Sequence, residues 1–96
     1  YYMSLVFRGP IILGITSGGH APALSAVLRR RLEEELGRGW MMAACLMAGL
    51  RQQLPSGPAR MDLLKRIARS EALLVCMEND DEAGIRKVFA DAMAGL

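Results

Sequence analysis

The feature that most constrains this chain is a glycine-rich corner between a short apolar segment and a helix. Residues Ile11–Ile15 are rich in β-branched side chains and bounded by turn residues, which predicts a buried strand. Gly18 and Gly19 allow positive φ and a close approach of the backbone to a ligand. Pro22 fits the first turn of a helix, where its missing N–H costs nothing. The free amides of that turn, beside two hydroxyl groups, can hold an anion.

Helical patterns follow this corner to the last residue. A leucine stripe predicts a first helix from about Pro22 to Leu36, with one buried face and Gly37 in the usual position after its C-cap. The segment from Trp40 to about Leu54 is apolar nearly all round, so it must be covered on more than one side, and we expect a subunit interface there. Three shorter helices follow, beginning near Pro58, Glu71 and Glu82. The predicted apolar stripes are Leu24, Val27, Leu28, Leu32 and Leu36 in the first helix, Met61, Leu64, Ile67 and Ala68 in the third, and Ile85, Val88, Phe89, Ala92, Met93 and Leu96 in the fifth.

These patterns predict an α+β fold that is mostly helical. Tyr2–Phe7 suits a first strand, which Arg8–Pro10 turns into a second strand over Ile11–Thr16. About five helices follow this two-stranded element, so residues 1–37 are predicted to form one unit and residues 38–96 a helical domain. Because two strands are fewer than are stable alone, we expect a second copy of the chain to complete the sheet in a homodimer.

Composition and charge argue against nucleic acid and membranes as partners. The net charge is only +2, and the basic run Arg29–Arg31 is followed at once by Glu33–Glu35, so the local field largely cancels. The longest apolar run, Trp40–Leu50, is about half of what a membrane-spanning helix needs. The amino terminus lacks the basic region of a signal peptide. Cys45 and Cys76 lie in apolar runs without metal-ligand spacing, which predicts buried free thiols and a cytoplasmic protein.

No catalytic or metal-binding residue emerges from the motifs. A hydrolase would need Ser17, His20 and a carboxylate such as Asp62 or Asp80 to converge, but the nucleophile-elbow pattern is absent. Neither glycine-rich phosphate motif is present, so a complete nucleotide site is not expected. His20 is the only histidine, and one ligand is too few for a catalytic metal.

The corner resembles that of the siroheme synthase family, which comprises precorrin-2 dehydrogenases that are often also sirohydrochlorin ferrochelatases. Members carry a similar strand, a Ser/Thr-Ser/Thr-Gly-Gly-x-Ser-Pro corner, and then a helix rich in leucine and arginine. The matching residues here are Leu13–Leu24, with Arg29, Arg30 and Leu32 behind them, and Tyr2–Pro10 resembles the strand and turn that lead into the corner. The resemblance is specific from about Tyr2 to Leu36 and general afterwards.

Two departures from the family pattern are visible at this corner. Ala21 stands where the family usually has a serine, which removes an expected N-cap worth about 1 kcal/mol. His20 fills a variable position, so the resemblance gives it no role.

The resemblance implies a dimerisation segment and a carboxy-terminal helical domain of such an enzyme. The whole enzyme would use NAD to oxidise precorrin-2 to sirohydrochlorin, and ferrous iron is a further substrate of many members. The nicotinamide-binding domain and its acidic catalytic residue would precede Tyr1, and nothing here matches them, so this chain alone is expected to bind no NAD and to be inactive. The tetrapyrrole substrate carries many carboxylates, and the residues expected to contact it are Thr16, Ser17, Gly18, Gly19 and His20.

Two alternatives remain open from the sequence. A strand, a hydroxyl-glycine corner and a helix also resemble the phosphosugar-binding loops of sugar isomerase domains, although those need a parallel sheet of several strands. The third possibility is a non-catalytic helical interaction module. A Gly-x-Gly-x-x-Gly strand-turn-helix upstream of Tyr1 would decide in favour of siroheme synthesis.

Overall fold

The computed structural model describes residues 3–95, which form a two-stranded sheet followed by five helices. This confirms the predicted α+β, mostly helical fold. The elements are β1 (Ser4–Arg8), β2 (Ile11–Ile15), α1 (Pro22–Glu35), α2 (Arg38–Gln53), α3 (Pro58–Ala68), α4 (Glu71–Glu78) and α5 (Glu82–Ala94).

Most predicted boundaries lie within one or two residues of the observed ones. The first strand starts at Ser4 and runs on to Arg8, whereas it was predicted to start at Tyr2, which lies outside the described residues, as does Leu96. Helix α2 begins two residues before the predicted Trp40. Gly37 does follow the C-cap of α1, but its φ of −83° is not left-handed, and it serves as the N-cap of α2.

Strands β1 and β2 form an antiparallel hairpin whose two faces differ sharply. Val6 pairs with Leu13, and Val6 is only 1% exposed where the sheet meets α1 and α2. Phe7 pairs with Ile12 on the opposite face, and both side chains are more than half exposed. Side chains alternate between the faces of a strand, so the whole outer face is apolar. This outer sheet face consists of Met3, Leu5, Phe7 and Ile12.

Helix α1 contains no buried residue, so the prediction of a buried face is wrong for the isolated chain. Leu24 is 70% exposed, and Val27 and Leu28 are about half exposed. The helix packs along β1, whereas the later helices pack mainly against one another. The leucine stripe is amphipathic as predicted, but residues 3–95 cover it only in part, at Leu32 and Leu36.

Helices α2 to α5 enclose the hydrophobic core. Helix α2 contacts α3, α4, α5 and β1. The chain therefore covers much of α2 by itself, and the expectation that it could supply little cover for this apolar helix is wrong. The core side chains are Ala43, Leu50, Leu63, Ile67, Leu73, Met77, Ile85 and Phe89.

The stripes predicted for the later helices are partly confirmed. In α3, Ile67 is buried as predicted, but the second core residue is Leu63, which is 1% exposed, while Met61 is 50% exposed. In α5, Ile85 and Phe89 are buried as predicted, with Val88, Ala92 and Met93 packed against the core. The predicted cap of α4 is also present, since Ser70 Oγ accepts a hydrogen bond from the Leu73 amide at 3.2 Å.

Side chains from elsewhere in the chain hold both ends of α2. Asp80 Oδ1 accepts a hydrogen bond of 2.8 Å from the Gly39 amide in the first turn. Arg60 Nη1 donates to the Arg51 carbonyl in the last turn at 2.8 Å. An anion at the N-terminus and a cation at the C-terminus both suit the helix dipole. A Cβ atom on Gly37 would lie 2.7 Å from Asp80 Oδ1, which explains the glycine there.

The molecule is elongated, with extents of 49 × 29 × 17 Å and a radius of gyration of 15.9 Å. A compact domain of this length has a radius of about 12.5 Å. The excess comes from an arm (residues 3–36) that extends from a helical bundle (residues 38–95). No helix within residues 3–95 is long and apolar enough to cross a membrane. Of the two free cysteines, Cys76 is half-buried, but Cys45 is exposed, so the prediction of buried thiols is wrong for Cys45.

Candidate functional site

The glycine corner is held together by its own hydroxyl groups. The Gly18 amide donates to Thr16 Oγ1 at 3.1 Å, and the Ala21 amide donates to Ser17 Oγ at 2.9 Å. Gly18 and Gly19 have φ values of +65° and +84°, which only glycine adopts without cost. Each hydroxyl oxygen accepts a bond from the backbone, so each hydroxyl hydrogen is left to donate to a ligand.

The start of α1 adds unpaired backbone donors to this corner. Its N-cap is Ala21, and no side chain caps it, as the substitution of the usual serine predicts. Pro22 has no N–H, and the Ala23 and Leu24 amides belong to the first turn, where no intrahelical acceptor exists. The first turn contains no acidic side chain, so its partial positive charge is not neutralised there.

A concavity of about 170 Å³ lies between the corner, the start of β1 and the first turns of α1. Of the predicted site residues, Thr16, Ser17 and Gly19 line it, while Gly18 and His20 do not. Sequence reasoning missed Ser4 and Ser25. Ser4 pairs with Ile15 across the hairpin, and Ser25 lies one turn after Pro22, so strand register and helix periodicity could have indicated both. The lining residues are Ser4, Ile15, Thr16, Ser17, Gly19, Pro22, Ser25 and Ala26.

The size of this hydroxyl concavity limits what it can hold. Sites for whole organic ligands usually measure about 300–1,000 Å³, so this one suits a single carboxylate or a group of similar size. It offers neutral hydroxyl and amide donors and no charged side chain. Such donors can orient an anion without the desolvation cost of a buried ion pair.

A larger groove of about 380 Å³ lies between the hairpin turn and α2, but its chemistry is different. It is lined mostly by alanine, methionine and other apolar side chains, with Arg51 as its one charged residue. It has few groups that could orient a polar ligand. The hydroxyl concavity is the better candidate for recognising an anion.

The residues present do not fit a dinucleotide or a resident metal ion. Dinucleotide sites are built on parallel β-α-β units, and the strands described between residues 3 and 95 form an antiparallel hairpin. Within the same range, no three His, Cys, Asp or Glu side chains gather as metal ligands do. No step through NAD or a metal can be derived from these residues.

No protein-family model matches the chain. Individual siroheme synthases, however, are similar to it in sequence. Siroheme synthase 2 of Aeromonas hydrophila is 32% identical over 96 residues, which is 96% of this chain and 20% of the relative. Siroheme synthase of Thiobacillus denitrificans is 33% identical over 83% of this chain and 18% of its own length. Siroheme synthase 2 of Cronobacter sakazakii is 28% identical over 88% of this chain.

The chain is related to a segment of siroheme synthase. The resemblance predicted from the corner is thereby confirmed, and it extends through the helical bundle as well as the arm. The chain spans about a fifth of the length of the curated siroheme synthases it matches.

Proposed function

We propose that this chain is a segment of an enzyme of siroheme biosynthesis. The observation that carries the proposal is its similarity to siroheme synthases over nearly its whole length. In this proposal the whole enzyme oxidises precorrin-2 to sirohydrochlorin with NAD and can take ferrous iron as a further substrate. In the same proposal, the NAD-binding domain lies in another part of the enzyme, and this segment alone binds no NAD and is inactive.

The proposed role of the corner is to hold one carboxylate arm of the tetrapyrrole. The hydroxyls of Thr16 and Ser17 are its donors, and the N-terminal end of α1 favours the negative charge. The macrocycle would lie outside the hydroxyl concavity, because about 170 Å³ cannot contain it. These residues bind and orient the substrate, and none of them is assigned to the chemistry.

The proposed role of the arm is to form a homodimer. The outer sheet face and the Leu24–Leu28 stripe leave large apolar side chains in water, and each is worth about 1.5–3 kcal/mol when buried. A two-stranded sheet is also unstable without further strands or packing. A second copy supplies both the cover for the apolar side chains and the packing for the sheet, because a two-fold axis brings identical apolar faces together.

We also propose that the enzyme is cytoplasmic, because the reducing cytoplasm keeps cysteines such as its two free thiols unpaired.

The two other functions are less well supported. A sugar isomerase-like site needs a parallel sheet, and the hairpin described here is antiparallel. A purely structural interaction module would leave the hydroxyl concavity without a ligand, and binding experiments on that concavity decide the question.

The test is titration of the chain with uroporphyrin, a tetrapyrrole rich in carboxylates. Ser17→Ala should weaken binding about fivefold, the value of one hydrogen bond of about 1 kcal/mol. It should also lower the free energy of unfolding by a similar amount, because the Ala21 amide loses its acceptor. Ser17→Thr keeps the hydroxyl and should restore both quantities.

A second pair of variants separates backbone strain from steric blocking. A Cβ atom on Gly18 would make only an ordinary contact with His20, at 3.6 Å, but the backbone there is left-handed, so Gly18→Val should be harmful through strain. Gly18→Asn adds similar bulk, yet asparagine tolerates this conformation. Equal binding by the wild type, Ser17→Ala and both Gly18 variants would show that the corner is only structural.

A further inference from the structure

Arg8 ties the hairpin to the far end of α1. It is the last residue of β1, and its guanidinium group donates to the backbone carbonyls of Leu36 and Glu33, the latter at 2.7 Å. It also donates to the carbonyl of Phe7 at 2.6 Å. The two carbonyls in α1 lie 28 and 25 residues further along the chain, so these are tertiary bonds.

These bonds satisfy a need that α1 does not meet by itself. The last carbonyls of a helix lack intrahelical donors, and a cation there interacts favourably with the helix dipole. The last turn of α1 contains no basic residue and carries a run of glutamates instead, Glu33–Glu35. The bonds from Arg8 add to the packing of α1 along β1 in holding this end of the helix.

The other end of α1 is joined to the hairpin through two successive glycines with positive φ, Gly18 and Gly19. A helix attached by a glycine corner at one end and a guanidinium group at the other can pivot when the second attachment is lost. Ser25 and Ala26 line the hydroxyl concavity and move with the helix axis, whereas the Thr16 hydroxyl belongs to the end of the hairpin.

We propose that Arg8 is a positioning residue for the corner, acting about 20 Å away along α1. It fixes the orientation of α1 relative to the hairpin and so keeps Ser25 and Ala26 of α1 on the same concavity, and beside the same anion, as the corner hydroxyls. The anion itself rests on the proposed function, whereas the fixed orientation does not. Lysine cannot replace Arg8 fully, because a guanidinium group presents several donors in a rigid plane and an ammonium group does not.

Residual dipolar couplings of the full chain test the orientation directly. In the wild type, one alignment tensor should fit the amides of the hairpin and α1 together. In Arg8→Gln, α1 should stay helical but require a reduced or separate tensor, with Arg8→Lys in between. Arg30→Gln is the matched control, because it removes the same charge from α1 at an exposed position and should leave the single tensor intact. A single tensor that still fits Arg8→Gln overturns the proposal.

Uroporphyrin affinity tests the consequence at the corner. Arg8→Gln should weaken binding threefold or more, and Arg30→Gln should bind like the wild type. Loss of alignment with unchanged affinity would show that Arg8 anchors α1 without positioning the site, which overturns the positioning role. If the wild type binds no uroporphyrin while Arg8→Gln still loses the common tensor, the carboxylate site fails and the orientation by Arg8 stands.

Discussion

The arm and the helical bundle use apolar side chains in opposite ways. The bundle buries eight core residues among four helices, whereas Val6 is the one large side chain that the arm buries within the described range. Conversely, most of the exposed large apolar side chains are in the arm, although it is the shorter part. Hydrophobic patterning thus shows that a face will be covered, but whether the chain itself or another molecule covers it depends on the tertiary fold. The arm members of the exposed set are Met3, Leu5, Phe7, Ile11, Ile12, Leu24, Val27 and Leu28.

The largest effect should come from the bundle core. Leu63→Ala should lower the free energy of unfolding by about 4 kcal/mol, through lost burial and the cavity left behind. Leu24→Ala removes the same atoms from the arm, and its cost should depend on protein concentration, because a second copy buries that side chain in the proposed homodimer. Urea unfolding at two protein concentrations measures both. A large, concentration-independent loss for Leu24→Ala would erase the distinction between the two regions.

A charge on the outer sheet face should separate the copies. Phe7→Asp should weaken dimerisation at least a hundredfold, about 3 kcal/mol, since it replaces an aromatic contact with a charge. Val75→Asp is the control in the bundle, because the two native side chains are 57% and 56% exposed. Sedimentation equilibrium gives the association constants. A wild-type chain that stays monomeric at high concentration, or equal effects of the two variants, would contradict the role of the arm.

The tertiary cap of α2 should contribute less than the core. Asp80→Ala should lower the free energy of unfolding by about 2 kcal/mol, because the Gly39 amide loses its acceptor and alanine is strained at a φ of +51°. Asp80→Asn keeps an acceptor oxygen and tolerates that conformation, so its effect should be small. Thermal unfolding followed by circular dichroism compares them. Equal losses in the two variants would mean that the carboxylate charge, rather than the cap geometry, stabilises this end.

The smallest effect concerns the two thiols, whose surroundings differ within the bundle. Burial and the neighbouring Asp81 carboxylate raise the pKa of the Cys76 thiol, while Cys45 is exposed. Iodoacetamide near neutral pH should therefore modify Cys45 at least ten times faster than Cys76, as peptide mass spectrometry can measure.

The raised pKa of Cys76 also makes stability depend on pH. Because the pKa is raised in the folded state, the stability linked to the neutral Cys76 thiol is present below its ordinary pKa and is lost as the pH rises above it. Cys76→Ser should flatten that alkaline loss.

The order and type of the elements could be predicted from the sequence, because each has local signals. Pro58 starts α3, Ser70 caps α4 and Asp81 caps α5, and in each case the interaction involves residues within one turn. The buried sides of the helices were harder to predict. Positions 61, 64 and 67 fit a helical stripe in α3, and Leu64 does pack against the core, but contacts with α5 and α2 bury Leu63 beside Ile67 and leave Met61 exposed.

The candidate site shows the same division between local and tertiary information. Thr16, Ser17 and Gly19 follow from the motif alone, because they are adjacent in the chain. Ser4 joins them only through the register of the hairpin, and Ser25 through its place one helical turn after Pro22, so neither follows from the motif itself. The tertiary hydrogen bonds of Arg8 could not be predicted from the sequence, because its acceptors are backbone carbonyls, which every residue carries.

The hydrogen bond between Asp80 and the Gly39 amide also has a consequence for the order in which the chain can fold. Gly37 offers no side chain to cap α2, so the first turn of that helix is completed by Asp80, which is synthesised 41 residues after Gly39. A nascent chain that ends before residue 80 would carry α2 with a frayed start. Chains that end just before and just after residue 80, once released from the ribosome, should differ in the protease resistance of residues 38–42.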